Sequence, residues 1–391
     1  MMARLGDYIE QIRGVSYKPE DVCTVQDKDA VAILRANNIQ DDGLNFDDLV
    51  YVKKSKVSAI QYIKAGDIVV CASSGSKNLV GKAAIATEDM DFSFGAFCKV
   101  VRPRKLLPSY VGHYFQSPKY RNKISELAGG ANINNIRNEH IDELDIVVPN
   151  TDEQERISIE LNKICYLISL RKQQLSKLDE LVKSRFIEMF GDPVVNPKSW
   201  DTASLSALIV NANNGMARRG KDADGSIVLR LVELQNGFID YTAPNRICLN
   251  DTEKKRYALV DNDFLFARVN GNPDYVGRCA VFKSIDEPVF HNDHIIRVHF
   301  DEAKINGCFM SVLLNSDYGK RQMREQIKTS AGQYTISQDG IGAIMAILPS
   351  LELQNQFATF VEQTDKSKLA IQQSLEKLET LKKALMQKYF G

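Results

Sequence analysis

The 391-residue chain carries no net charge, because 50 lysines and arginines balance 50 aspartates and glutamates. Bulk basicity therefore cannot hold it on nucleic acid, and any such contact has to come from local patches. The balance extends to its parts: residues 1–150 hold 19 basic and 19 acidic side chains, and residues 192–350 hold 18 and 19. Nowhere do 18 apolar residues follow one another, and the start, Met-Met-Ala-Arg-Leu-Gly-Asp-Tyr, has no apolar run of signal-peptide length, so no membrane partner is expected. The seven cysteines (Cys23, Cys71, Cys98, Cys165, Cys248, Cys279, Cys308) are odd in number and none forms a Cys-x-x-Cys pair. This spacing argues against a disulfide or zinc framework and reads as buried thiols in a reducing, cytoplasmic compartment. The length and a hydrophobic share of 44% fit a soluble protein of two or more domains.

What the sequence does have is an internal duplication. Shifted by 200 positions, residues 131–191 lie on 331–391 without a gap. Ala131, Ile136, Ile141, Pro149 and Gln154 fall on Ala331, Ile336, Ile341, Pro349 and Gln354; Leu178, Leu181, Phe190 and Gly191 fall on Leu378, Leu381, Phe390 and Gly391. Upstream the match weakens, with Val80-Gly81-Lys82 against Val276-Gly277-Arg278. The period is far too long for a solenoid, so this is a duplicated domain.

Each copy reads in two parts. The first is mixed: short β-rich runs such as Asp67-Ile68-Val69-Val70-Cys71 and Asp263-Phe264-Leu265-Phe266, a helical stretch near 107–127 or 305–328, and a closing strand that ends at Pro149 or Pro349. The second is one long helix. Thr151 is the expected N-cap, with Gln154 at capping-box spacing; Ser350 stands in a similar place in copy two. A heptad seam runs through Ile157, Leu161, Ile164, Ile168, Leu175, Leu178, Val182 and Met189, interrupted by Arg171 and Arg185. In copy two it runs through Phe357, Val361, Ile371, Leu375, Leu378, Leu385 and Tyr389. Both helices stop at Phe-Gly, where glycine suits the left-handed residue past a helix end. The fold class expected is α+β: recognition domains at 1–150 and 192–349, joined by helices at 151–191 and 350–391 that pair antiparallel as a coiled-coil spacer with pseudo-two-fold symmetry.

Two inverted heads on a rod of roughly 50 Å suit duplex DNA, which has local dyads and repeats about every 34 Å. Because the heads differ in sequence, their half-sites should differ, giving a bipartite, asymmetric target.

The chain resembles the specificity subunits of type I restriction–modification systems along essentially its whole length. The resemblance rests on Pro149 through Gln154-Glu155-Arg156-Ile157, on Leu178-Asp179-Glu180-Leu181 through Phe186-Ile187-Glu188-Met189-Phe190-Gly191-Asp192-Pro193, and on Asn196-Pro197-Lys198-Ser199-Trp200. Gly66-Asp67-Ile68-Val69 with Gly81-Lys82 also looks like the family, whereas copy two has Asn262-Asp263 where Gly-Asp is frequent. The resemblance implies a DNA-reading subunit without catalytic residues, cofactor or metal. It also implies assembly on double-stranded DNA with two adenine-methylating modification subunits and, in the larger complex, restriction (translocase/nuclease) subunits. Binding to DNA is then expected to be weak for the chain alone and tight with its partners.

Base reading needs hydrogen-bonding side chains delivered to base edges. The candidates are Asn132, Asn134, Asn135 and Arg137 in copy one and Gln333, Tyr334 and Thr335 at the same repeat position in copy two, each group after a glycine turn. Lys77 and Lys82 in the loop Gly75–Gly81 are phosphate candidates, although that loop is no Walker motif: five residues separate its glycines and Ala83 stands where Ser or Thr is needed. In the second head Arg218, Arg219, Lys221, Arg268, Asn270 and Arg278 join them. Polar surface loops are the bland alternative for each. Asn272-Pro273-Asp274-Tyr275 nearly spells an amino-methyltransferase loop, but its third residue is wrong and a turn explains it. His291-Asn292-Asp293-His294 has too few ligands for zinc, and its counterpart near Phe92–Phe97 has none. Trp200 reads as a core anchor. Two other classes stay open on the sequence alone: a methyltransferase-like enzyme and a coiled-coil scaffold without nucleic-acid binding.

Overall fold

The computed structural model describes residues 1–76, 78–127, 134–330 and 332–391. Among them the chain forms helices α1 (Pro108–Gln116), α2 (Pro118–Leu127), α3 (Asn138–Asp142), α4 (Thr151–Phe190), α5 (Asp251–Tyr257), α6 (Gly307–Asn315), α7 (Asp317–Gln326), α8 (Gln338–Gly342) and α9 (Leu351–Phe390). In each head most of the strands precede the paired helices α1–α2 or α6–α7, giving the expected α+β class. Two compact units result: Met1–Leu175 with Ala370–Gly391, and Ser176–Leu369. Each unit thus holds one head and part of both 40-residue helices.

The heads repeat one strand plan. In the first, a four-stranded antiparallel sheet runs Ala83–Ile85, Ile68–Cys71, Cys98–Pro103, Ile9–Arg13. In the second the order is Cys279–Val281, Asp263–Ala267, Ile295–Phe300, Ile209–Asn214. Met2–Arg4 pairs with Asp145–Val147, and Asp201–Ser204 with Met345–Leu348, so each copy's closing strand is tied to its opening one. The family-like Gly66-Asp67 and the divergent Asn262-Asp263 have the same conformation, with φ at +85° for Gly66 and +65° for Asn262. Asparagine is among the residues that tolerate the left-handed region, so the departure is conservative.

The helical stretches of the heads differ from expectation in being broken: Ser117 separates α1 from α2, and Ser316 separates α6 from α7. Pro118 cannot continue α1's hydrogen bonding, and in copy two the Ser316 hydroxyl instead accepts from the Gly319 amide to start a new helix. The long helices also begin differently. Glu153 donates its amide to Asn150 Oδ1 at 2.9 Å, so Asn150 and not Thr151 is the cap, matching Ser350, whose hydroxyl oxygen accepts from Leu353 at 3.4 Å. Gln154 is buried and does other work: its Oε1 accepts from Leu107 N at 2.9 Å and its Nε2 donates to the Pro149 carbonyl at 3.0 Å. Gln354 does the same with Asn306 N and the Pro349 and Lys304 carbonyls.

Within each unit the two helices lie antiparallel. In the unit of head two, Asp179 meets Lys368 at 2.7 Å, and further along Phe186 and Phe190 pack edge-to-face on Phe357. In the unit of head one the Tyr389 hydroxyl donates to Glu160. The seam holds at Ile157, Leu161, Ile164, Ile168, Val182 and Met189, all buried, but near Arg185 it shifts. Phe186 takes the buried place, and the Arg185 guanidinium lies over the Phe360 ring at 5.8 Å. Each unit's core is completed by the helix end of the other copy. Phe390 packs on Tyr110 and Tyr114 of head one, with ring centroids 5.2 and 5.8 Å away, whereas Phe190 packs on Phe309 of head two at 4.8 Å. Both terminal glycines are left-handed, Gly191 at φ +80° and Gly391 at φ +92°. Past Gly191, Trp200 anchors the turn as expected, its indole N–H donating to the Phe190 carbonyl at 2.8 Å.

Candidate nucleic-acid interface

In each head the second sheet strand runs on into a small exposed platform, built the same way twice. In head one, Ser73–Ser74 pair antiparallel with Asn134–Asn135, and Ile136 N donates to the Ala72 carbonyl at 2.8 Å. Beside them the turn Gly95–Cys98 is closed by Cys98 N to Gly95 O at 2.8 Å, and its Phe97 carbonyl accepts from both Ala72 N (2.8 Å) and Ser73 N (3.0 Å). The loop after Ser74 returns through Gly81, whose amide donates to Cys71 O at 2.8 Å. Gly81 sits at φ +78°, and a Cβ there would lie 2.6 Å from Ile124 Cγ2, so helix α2 requires glycine. Arg121 of α2 fixes the same loop by donating to the carbonyls of Val80 (3.0 Å) and Asn78 (2.8 Å).

Head two repeats the main-chain frame with other side chains and one strand more. Val269–Asn270 pair with Gln333–Thr335, which pair in turn with Lys328–Ser330. Ile336 N donates to Arg268 O at 2.9 Å, Arg268 N to His294 O at 2.8 Å, and Gly277 N to Ala267 O at 2.8 Å. Gly277 is at φ +80°, and a Cβ would meet Met323 Sδ of α7 at 2.5 Å.

The structure therefore brings together residues that the sequence singled out in separate stretches. Asn270 lies opposite Tyr334 and Arg268 immediately precedes that pairing. Asn134 lies opposite Ser74 by its backbone, and Asn135, exposed, opposite Ser73. Arg137 is 71% exposed, 3.7 Å from Glu139 at the start of α3. Gln333 is exposed, while Tyr334 is packed against the core and the Thr335 hydroxyl donates to Lys328 O at 3.4 Å. Lys77, Asn132 and the side chain of Asn134 lie outside the described residues. Other candidates are engaged with protein groups. Lys82 is mostly covered and lies 3.5 Å from Asp41. Arg278 donates to Gln235 Oε1 at 3.0 Å and stacks over Tyr275. Arg218 pairs with Glu253 at 2.8 Å, whereas Lys221 is exposed. Arg219 reaches the turn itself, 2.7 Å from Asp293 and 3.1 Å from the His294 ring, and Arg268 donates to the Asp293 carbonyl at 3.1 Å. Ser73, Ser74, Phe97 and Asp293 also belong to the platforms and are not among the candidates named from the sequence, whereas His294 stands where a strand-edge histidine facing DNA or core is expected. The signal available was the repeat itself, which sets Phe92–Phe97 against the His291–His294 stretch.

The platforms stand on a dry base. Lys99, 7% exposed, donates to Gln11 Oε1 (3.0 Å) and Asn138 Oδ1 (2.8 Å), holding α3 beneath Arg137; burial pushes its pKa down to about 8. Burial also raises the thiol of Cys98 to about 12 and that of its cross-strand partner Cys71, which marks both as inert packing groups. His291 points inward to the Tyr257 carbonyl at 3.3 Å, and burial holds its pKa down at about 4. Asn272 Oδ1 accepts from Asp274 N at 3.0 Å, so the methyltransferase-like tetrapeptide is a local turn.

Comparison with known proteins identifies the family. A model of the type I restriction modification DNA specificity domain matches residues 1–180. The StySPI specificity subunit of Salmonella potsdam is 34% identical over 97% of this chain and 86% of its own length. The EcoKI specificity subunit of Escherichia coli K12 is 30% identical with the same coverage. In fold, the chain is similar to the S subunit of the M. genitalium type I system, with a TM-score of 0.59 at 15% identity, covering 100% of this chain and 96% of that one. With a curated relative above 30% identity along nearly its full length, the chain belongs to the specificity subunits of type I restriction enzymes.

Proposed function

We propose that this chain is the non-catalytic DNA-reading subunit of a type I complex. Residues 1–150 read one half of a bipartite, asymmetric target and residues 192–349 read the other. The helices at 151–191 and 350–391, shared between the units, set the number of base pairs between the halves. The observation that carries this reading is the platform built twice on one backbone plan with dissimilar side chains: a repeated frame needs no divergence unless the two faces meet different sequences. With heads of balanced charge, tight binding depends on partners that add phosphate contacts. Those partners are two adenine-methylating subunits, with restriction subunits in the larger assembly. Their docking is supported by apolar side chains left exposed on the helices: Ile159 (68%), Tyr166 (63%) and Leu381 in one unit, and Leu181, Ile187 and Leu369 (61%) in the other.

The test is to map methylated adenines in cells that express the chain with its modification subunit. A split motif is expected. Asn135→Ala with Arg137→Ala should relax one half of it, and Gln333→Ala with Asn270→Ala the other. Either pair changing both halves together would refute the assignment of one head to each half.

A further inference from the structure

Phe97 is 68% exposed, an unusual state for a phenylalanine held on a rigid turn. Its backbone cannot swing the ring into cover. Its carbonyl is clamped by two amides from the neighbouring strand, and the turn closes through Cys98 N. Below the turn, Gly14 packs so tightly on Gly95 that a Cβ at Gly14 would lie 2.1 Å from the Gly95 oxygen. The ring is therefore presented beside the platform formed by Ser73, Ser74 and Asn135. In head two the matching residue is His294, which is half-buried and held by Arg219 at 3.1 Å, with Asp293 replacing Ala96 in the same turn. One head thus offers an apolar tip and the other a charged, hydrogen-bonding one.

Resting on the reading of residues 1–150 as a DNA-reading head, we propose that Phe97 is a specificity-determining residue that selects thymine, packing its ring against the C5-methyl group in the major groove. The serine and asparagine side chains around it can exchange hydrogen bonds with base edges, but a phenyl ring cannot. Among the four unmodified bases only thymine displays a methyl group on a groove edge, so it is the natural complement of an exposed ring among polar readers.

The experiment uses the assembled complex with its modification subunits and the duplex target mapped by methylation. The half-site of head one is identified as the half that changes when residues 1–150 are exchanged for those of a relative. Each thymine in that half is then replaced singly by deoxyuridine, which removes only the methyl. At one position the wild-type complex should bind about fourfold more weakly, the effect of one buried methyl group. The Phe97→Ala complex should bind thymine and uracil duplexes equally there, Phe97→Leu should keep part of the discrimination, and the other half-site should be unaffected. A head-one half-site without a T·A pair would overturn the proposal. So would indifference of the wild type to every uracil, or Phe97→Ala losing the same factor on both duplexes. A Phe97-dependent rise in 2-aminopurine fluorescence without methyl discrimination would make the ring an intercalating wedge and overturn it too. If no bipartite methylation appears at all, the reading of the whole chain fails and the inference with it; a mapped target with any of the preceding results sinks the inference alone.

Discussion

In head one the buried carboxylate of Asp67 is gripped by Arg102 through two hydrogen bonds of 2.7 Å, whereas in head two the matching Asp263 meets His299 at 2.9 Å and Arg297 at 3.5 Å. What stays constant is the contact with the main chain. One oxygen of each carboxylate accepts an amide three residues back, from Lys64 or Val260, at 2.8 Å. The same contrast recurs on the platforms, where Phe97 in one head matches His294 in the other, and Lys82 matches Arg278, on the same backbone hydrogen bonds. Duplication has kept the residues that shape the chain and released those that point outward. Where an interior partner changed, as from Arg102 to His299, the carboxylate was still answered, because leaving it unpaired in a dry site costs several kcal/mol.

The sharpest way to break this comparison is to remove the aromatic that each head receives from the other copy's helix. Phe390→Ala should destabilise the unit of head one, and Phe190→Ala that of head two, by about 3–5 kcal/mol each. Hydrogen exchange should show α1 loosening in the first variant and α6 in the second; the reverse pattern would contradict the cross-packing. A smaller effect comes from pH. His113 of α1 is buried against Asn162 of α4, and His291 sits in the second head; burial lowers both pKa values from 6.5 to about 4. The folded state excludes a proton that the unfolded chain takes up below about 6.5. Stability is therefore fully present above that pH and declines as pH falls toward about 4, by about 2 kcal/mol per histidine at pH 5. Urea unfolding of His113→Val, which installs the residue of the matching Val312, should show a flatter acid decline for the unit of head one alone. Smallest are the caps: Asn150→Ala and Ser350→Ala should each cost about 1 kcal/mol. Thermal melts in which Thr151→Ala cost more than Asn150→Ala would return the cap to the position that spacing alone suggests.

Much of the architecture is legible in the sequence because it rests on periodicity. The long helices, their Phe-Gly ends and the strands at Ile68–Cys71 and Asp263–Ala267 all stand where apolar spacing and glycine place them. Gln154 stands out by its repeat position, yet its spacing points to a capping partner and the structure gives it a different role. Spacing shows neither the carbonyl of Pro149 nor the amide of Leu107 that the side chain meets. The site is less legible. The pairing of Ser73–Ser74 with Asn134–Asn135 joins segments some 60 residues apart, and nothing local to either announces it. Phe97 carries no local signal either, because a phenylalanine just ahead of a strand is ordinarily core.

The sequence alone determined that there are two copies of one unit, that each ends in a long amphipathic helix, and that the family is that of DNA specificity subunits, because repeats, heptads and motifs are written in one dimension. Only the tertiary structure decided that each head is completed by the other copy's helix end, and which side chains share a platform. Those are contacts between residues far apart in the chain, chosen by packing and by the need to satisfy every buried polar group, and no local pattern encodes them.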